Sequence, residues 1–288
     1  MKILLFGAGG LLGRYLQQEL GAHELTAMTH AQADITDARR LNELFRRRWD
    51  AVINAAANCD FDACENDPAG TARVNRDAPL DLARRCHAAG ATFVQFSSDY
   101  VFAGNEDRRF TETDAPLPVS VYGGQKAALE RDVPSLCPRS LVLRIAWLYG
   151  SGGKTFMSLM PDLLSGREIL RVAAGKRGRC LYARDAARWI LRLLEAGQTG
   201  MLNLVNDGDT SWEEFARVCL AEMQSLGMNP RCRHIEEIPY ADLGPTWSKR
   251  PRWSCLDIGK IRAAHPPGPR PWTEALGSFL REQKSVAA

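Results

Sequence analysis

Residues 2–20 read KILLFGAGGLLGRYLQQEL, and the parsing of this stretch decides the fold. KILLF (2–6) is an apolar run short enough for a buried strand, and it stops at a glycine. Gly7, Gly10 and Gly13 then form G-x-x-G-x-x-G, with Leu11 and Leu12 inside the motif, and LLGRYLQQEL continues it with a helical pattern. Glycine meets three needs at such a junction. One allows a tight turn, one lets backbone N–H groups approach a pyrophosphate, and one lets the helix pack closely on the strand. The stretch is not read as a signal sequence, because glycines break the apolar run and an amphipathic segment follows. A glycine triplet alone says little. At the first strand–helix junction of an alternating chain it points to a dinucleotide site.

That alternation extends outward from the motif. AVIN (51–54), TFVQFS (92–97) and SLVLRIA (140–146) read as further buried strands, and ELTAMTH (24–30) as a weaker one. Helical patterns lie between them at 11–20, 38–48, 67–89 and about 119–132. The expectation is an α/β, doubly wound parallel sheet with helices on both faces. After about residue 150 the rhythm loosens and Gly and Pro become denser. Helical patterns at 156–165, 183–196, 211–226 and 272–283 alternate with short apolar runs such as EILRV and GMLNLV. We therefore expect a dinucleotide-binding domain over 1–150 and a smaller α/β substrate lobe over 151–288, with some segments returning to the first domain. The crevice between them is the natural place for substrate.

Bulk composition narrows the classes. The 288 residues are 45% hydrophobic and 25% charged, ordinary for a globular protein. A net charge of +3 gives no argument for nucleic acid. The densest basic run, FRRRWD (45–50), reads as a solvated helix face with Trp49 buried beneath it. No run approaches the ~18 apolar residues needed to span a bilayer. The eight cysteines are scattered without a Cys-x-x-Cys, and Cys59 and Cys64 have no neighbours to complete a zinc site. Reduced thiols in a cytoplasmic protein, with no metal, are the economical reading.

The cofactor can be narrowed further. An acidic residue about 20 positions beyond the glycines would hold the ribose 2′-hydroxyl of NAD. Here the second strand ends at Met28-Thr29-His30, with no carboxylate before Asp34. Room for a 2′-phosphate favours NADPH, with NADH second. Arg14, Arg39 and Arg40 are the nearby cations.

Within this frame, YGGQK (122–126) and SSDYVFAG (97–104) stand out. Tyr122 and Lys126 are four residues apart, on one side of a helix. SSDYVFAG ends the fourth strand, at the edge where such sheets bind ligands. Together with NAAANCDFDACE (54–65), these motifs resemble the extended short-chain dehydrogenases on a Rossmann domain. More closely they are similar to the dTDP-4-dehydrorhamnose reductase family. RIAWLYG (144–150), GMLNLVNDGDTSWEEFA (200–216) and KRPRWSCLDIGKI (249–261) carry the likeness almost to the C-terminus.

The resemblance implies roles. Ser98 would hydrogen-bond the substrate carbonyl, Tyr122 would donate the proton, and Lys126 would hold the nicotinamide ribose and lower the tyrosine's pKa. Asp99, Tyr100 and Trp147 would line the sugar pocket beside Ser98. Gly7, Gly10, Leu11, Leu12 and Gly13, Asp34 and Ile35 at the adenine, Ala56, Ala57, Asn58 and Cys59 along the pyrophosphate and ribose, and Tyr122 with Lys126 would contact the cofactor. The substrate implied is a nucleotide-linked 4-keto sugar, and the partner a second copy of the chain. The chemistry is reasonable on its own terms. Bringing a tyrosine from about 10 to about 7 takes roughly 4 kcal/mol. A lysine charge about 4 Å away, at an effective dielectric of about 20, supplies a similar amount.

The departures from the family pattern are equally specific. GRCLYARD (178–185) replaces Gly-Ser-Pro-Thr before Tyr and Asp, which puts the exact sugar in doubt. Arg14 and Tyr15 follow the last glycine where some members place a Mg²⁺-binding glutamate, and Cys59 replaces a threonine. Two rivals follow from the same scaffold: a sugar-nucleotide epimerase or dehydratase, and a non-catalytic NADP-binding regulatory subunit. The dehydratases carry Asp-Glu after the Ser/Thr. Here Asp99 is followed by Tyr100.

Overall fold

In the computed structural model, residues 1–239, 242 and 249–287 are described. Five strands come from the first half: β1 (Lys2–Phe6), β2 (Glu24–Met28), β3 (Ala51–Asn54), β4 (Thr92–Ser98) and β5 (Ser140–Ile145). They lie side by side in the order 2-1-3-4-5, and a sixth strand, Gly200–Asn203, adds beyond β5. Every neighbouring pair is parallel. The doubly wound parallel α/β fold expected from the alternation is the fold observed. The strand order reverses between β1 and β3, and ligands of such sheets bind beyond the carboxyl ends at that switch point.

The apolar runs explain why both faces are covered. Successive side chains of a strand point to opposite faces. Ile3 and Leu5 of β1, Ile53 of β3, Val94 and Phe96 of β4 and Leu141 and Leu143 of β5 enter one core. Leu4 and Phe6, Val52, Phe93 and Val142 enter the other. The helices Ala38–Leu44, Ala78–Ala89 and Val121–Leu136 cover the second core through Leu41, Leu82, Cys86, Leu129 and Val133. The helices Leu11–Glu19 and Ala183–Glu195 cover the first through Leu12, Leu16, Ala186 and Ile190. The chain beyond 150 thus supplies both an edge strand and a covering helix to the first sheet. Its remaining strands form small pairs, the longest joining Ile169–Ala173 to His234–Ile238.

Three expected elements differ in extent. ELTAMTH leaves the sheet at Met28, where Thr29 turns back to hydrogen-bond Gln32. The helix expected over 38–48 ends at Leu44, so the arginines of FRRRWD lie on a turn. Trp49 is buried as expected, its indole donating to the Leu44 carbonyl at 3.0 Å while Arg47 lies over its ring. The helical stretch expected over 67–89 starts earlier, at Phe61, and divides into Phe61–Asn66, Pro68–Ala72, a π turn over Arg73–Asp77 and Ala78–Ala89. Asp60 and Asp67 cap the first two pieces, and Pro68 opens the second.

One buried ion pair fixes the helix Val121–Leu136 against the sheet. Arg144 of β5 makes a two-pronged contact with Glu130, 2.7 Å at both oxygens, and Ser97 of β4 donates to Glu130 at 2.6 Å. Both charged side chains are almost fully buried. Removing one member of such a pair strands the other charge in the interior, at a cost of about 3–5 kcal/mol. Glu130→Ala should lower unfolding stability by that amount in urea titrations, whereas truncating the exposed Arg131 should change it by less than about 1 kcal/mol.

Candidate active site

The glycine turn is shaped by close backbone approach. Gly7 adopts φ +76°, and a Cβ there would lie 2.5 Å from the Ala55 and Ala56 backbone. A Cβ on Gly13 would lie 2.2 Å from the Gly7 carbonyl. Gly10 donates to that carbonyl at 3.0 Å and offers no side chain to cap the helix that follows. Leu12 is buried in the core, so what Leu11 to Gly13 offer an anion is first-turn N–H groups. These features fit a dinucleotide pyrophosphate.

Around the turn lie the other expected cofactor residues. Asp34 accepts the backbone N–H and hydroxyl of Thr36, both at 2.8 Å, and the Thr36 N–H is the main cause holding its carboxyl below the usual range. Ile35 is buried at the edge of a cleft of about 250 Å³ shared with Leu41, Arg73 and Asp77. Of the three candidate cations, Arg14 donates to the Gly9 and Ser151 carbonyls and Arg40 to Gln32 and Glu43. The Arg39 side chain is exposed and makes no side-chain hydrogen bond or ion pair among the described residues. Beyond β3, Ala56 donates to Asn54, and the backbone of Asn58 is held on both sides by Asn75 at 2.8 and 2.9 Å. Asn75 also donates to Gln125 at 2.9 Å, and Gln125 to Thr71 at 3.0 Å. The loop Ala56 to Cys59 is thereby tied to the helix that carries Tyr122.

The expected catalytic residues converge at the carboxyl end of β4. Tyr122, Lys126 and Ser98 are all buried. The Tyr122 hydroxyl lies 3.9 Å from the Cys59 thiol, and its ring meets Tyr100 and Phe61 edge-on. Lys126 donates to the Phe96 carbonyl at 3.2 Å, with its ammonium 5.6 Å from the centre of the Tyr122 ring. Ser98 donates to Asp99 at 3.0 Å and accepts from the Tyr100 N–H, while Ser254 donates to the other Asp99 oxygen at 2.6 Å. One expectation is reversed here. Burial, aided by the Cys59 thiol, pushes Tyr122 well above the usual tyrosine value, and burial pulls Lys126 below the usual lysine value. In the protein alone, desolvation is the largest influence on both groups.

Tyr100 and Trp147 are the residues expected to line the sugar pocket. Phe61 stacks on Tyr100 with ring centres 4.6 Å apart. Trp147 has a left-handed backbone, φ +39°, and its ring lies so close to Gly178 that a Cβ there would come within 2.5 Å. Lys176 links the two residues, its ammonium 5.7 Å from the Tyr100 ring and 6.0 Å from that of Trp147. In GRCLYARD, Cys180 and Leu181 are fully buried, and Arg179 is buried against Asp209 at 2.6 Å. Tyr15 donates to Glu282 at 2.8 Å. Among the described residues no three His, Cys, Asp or Glu side chains group to hold a metal.

Comparison with known proteins follows this geometry. A family model described as RmlD substrate binding domain matches residues 1–285. A dTDP-4-dehydrorhamnose reductase from Aggregatibacter actinomycetemcomitans is 32% identical over 285 residues, covering 96% of this chain and 97% of the relative. The chain belongs to the dTDP-4-dehydrorhamnose reductase family. A solved reductase of that name from Clostridium acetobutylicum superposes with a TM-score of 0.90 at 30% identity, covering 99% of this chain and all of the other. Another, from Bacillus anthracis in complex with NADP, gives a TM-score of 0.90 at 28% identity, covering 98% of this chain and all of the other. The family brings its reaction class, an oxidoreductase using a nicotinamide dinucleotide, and the resemblance read from the motifs identified it correctly.

Sequence reasoning missed Phe61, Asn75, Gln125, Lys176 and Ser254. Gln125 sits inside YGGQK and Ser254 inside KRPRWSCLDIGKI, but only their tertiary partners reveal their tasks. YGGQK holds a further constraint. A Cβ on Gly123 would come within 2.2 Å of the Tyr100 carbonyl, whereas Gly124 has open space around it. Gly123→Ala should therefore displace Tyr122, lowering both kcat and stability, the latter by about 1–3 kcal/mol. Gly124→Ala should leave kcat near wild type and gain about 0.5–1 kcal/mol in helix stability. Paired kinetics and thermal unfolding of the two variants check this.

Proposed function

We propose that this protein reduces the 4-keto group of a nucleotide-linked deoxysugar with NADPH, most simply dTDP-4-dehydro-β-L-rhamnose to dTDP-β-L-rhamnose. The observation that supports it best is the meeting of Tyr122, Lys126 and Ser98 in a buried cluster at the carboxyl end of β4, beside the loop that leaves β3. NADPH, when bound, would supply the hydride, and its ring would become positively charged as the hydride leaves. The residues of this chain handle the rest. Tyr122 gives its hydroxyl proton to the oxygen as the ketone becomes an alkoxide, an acceptor far more basic than the ketone. A raised tyrosine pKa keeps the hydroxyl protonated until that moment. Lys126 places a cation beside the resulting phenolate, and that charge is felt strongly because the site excludes water. Ser98 orients the carbonyl, Tyr100 and Trp147 flank the sugar, and Asp99 holds Ser98 in place. A cytoplasmic location and assembly as a homodimer belong to the same proposal. No helix among the described residues is long and apolar enough to cross a membrane.

The cofactor preference is testable through Arg39. With no carboxylate at 28–30 and an uncommitted guanidinium at 39, calorimetry should show NADPH binding at least as tightly as NADH. Arg39→Ala should weaken NADPH while leaving NADH unchanged. A tenfold preference for NADH, equivalent to about 1.4 kcal/mol, would contradict this.

The catalytic assignment is tested by following NADPH absorbance with a panel of nucleotide-linked 4-keto sugars. Tyr122→Phe keeps the ring and its packing, and general acid catalysis is worth about 10²–10⁴-fold, so kcat should fall by at least the lower figure. Lys126→Met should lower kcat and also weaken NADPH binding. Ser98→Ala should cost less. The Ser98 proton is already engaged by Asp99, so donating to a carbonyl exchanges one hydrogen bond for another. Tyr122→Phe turning over within about threefold of wild type would sink the mechanism and favour a binding subunit.

A further inference from the structure

Lys176 is a buried cation that the reaction as described does not use. It is 1% exposed and sits in the turn between the strands Ile169–Ala173 and Arg177–Gly178. Its ammonium donates to the Pro251 carbonyl and lies over the rings of Tyr100 and Trp147. It also acts electrostatically on Asp99, the carboxyl that receives the Ser98 and Ser254 hydroxyls. Placing an ammonium in the interior is unfavourable, and an apolar side chain of similar length would fill the same space at lower cost. The charge is therefore explained by what it holds. Ring faces attract a desolvated cation strongly, and two rings sharing one cation are fixed relative to each other.

We propose that Lys176 is a positioning residue of the substrate pocket, its ammonium fixing the Tyr100 and Trp147 rings and supplying the counter-charge to Asp99 beneath Ser98. This rests on the reading that those residues flank the sugar. Two charged groups act on Lys176, Asp99 from the turn after β4 and Arg250 from the segment over the turn, and the neutral Tyr100 phenol ring lies against it. Arg252 donates to the neighbouring Gly175 carbonyl at 3.4 Å. Burial pulls Lys176 down to about 8, Asp99 opposes that shift, and Arg250 adds to it. The cation is present below that pH and is lost as pH rises through it.

The test uses steady-state kinetics of the full-length enzyme with NADPH and its 4-keto nucleotide sugar between about pH 6 and 9.5. Wild type should show a KM that is level at low pH and rises above about pH 8. Lys176→Met should raise KM about tenfold near pH 7, with a smaller effect on kcat, and abolish the rise above pH 8. Lys176→Arg, which stays charged, should keep a low KM and also lose that rise. Calorimetric NADPH affinity should be unchanged in both variants. A Lys176→Met KM within about twofold of wild type would overturn the proposal, as would persistence of the wild-type pH limb in Lys176→Arg. Should Lys176→Met fail to fold, the pH limb of Lys176→Arg decides alone. Tyr122→Phe separates the two readings. If it is inactive while the Lys176 variants are silent, only this role fails; if it is fully active, the pocket reading itself fails.

Discussion

The ion pair between Glu130 and Arg144 is the contact on which the geometry of the candidate site depends. Glu130 lies one helical turn beyond Lys126, and Lys126 one turn beyond Tyr122, so the three share a face of the helix Val121–Leu136. Glu130 takes the hydroxyl of Ser97 and both prongs of Arg144, which joins the helix to β4 and β5 at once. Lys126 repeats the link one turn earlier at the Phe96 carbonyl. Ser98 follows Ser97 at the end of β4. Because both charges are desolvated, the pair tolerates little change in distance or angle, and the helix is held in register with the strand end.

A second polar lattice fixes the loop Ala56 to Cys59. Asn54 donates to Gln95 between β3 and β4, and Asn75 joins the Asn58 backbone to Gln125. These amides are buried and bonded to one another, so each would be costly to leave alone. The π turn over Arg73–Asp77 contains Asn75, the residue that joins this loop to the helix. The site is thus a set of short polar links across otherwise apolar layers.

Desolvation sets the electrostatic tone of the whole pocket. It raises Tyr122 and Asp99 and lowers Lys126 and Lys176, biasing all four toward their neutral forms. An enclosure of this kind magnifies any charge that enters with a ligand. The later part of the chain completes the enclosure. Ser254 reaches Asp99, Lys176 reaches Tyr100 and Trp147, and Tyr15 and Tyr182 both donate to Glu282 of the last helix. Arg179, which replaces a small residue of the family pattern, donates through its Nε to Asp209 within the same layer.

The sequence by itself determined the parallel α/β sheet, the glycine turn, the absence of a carboxylate after β2 and the family. Each is a local matter: strand runs alternate by pleat, glycines are demanded by backbone approach, and motifs are contiguous. It also named Ser98, Tyr122 and Lys126 as the set to watch. Tertiary structure alone decided that Glu130 and Arg144 lock that set in register, because an ion pair between a helix and a strand leaves no periodic trace. It decided that Asn75 is a tether within an interrupted helix, and that burial is the largest influence on the Tyr122 proton. It also decided that Arg14 and Arg40 bond neighbouring groups while Arg39, among the described residues, does not, since hydrogen bonding follows three-dimensional distance and not position along the chain.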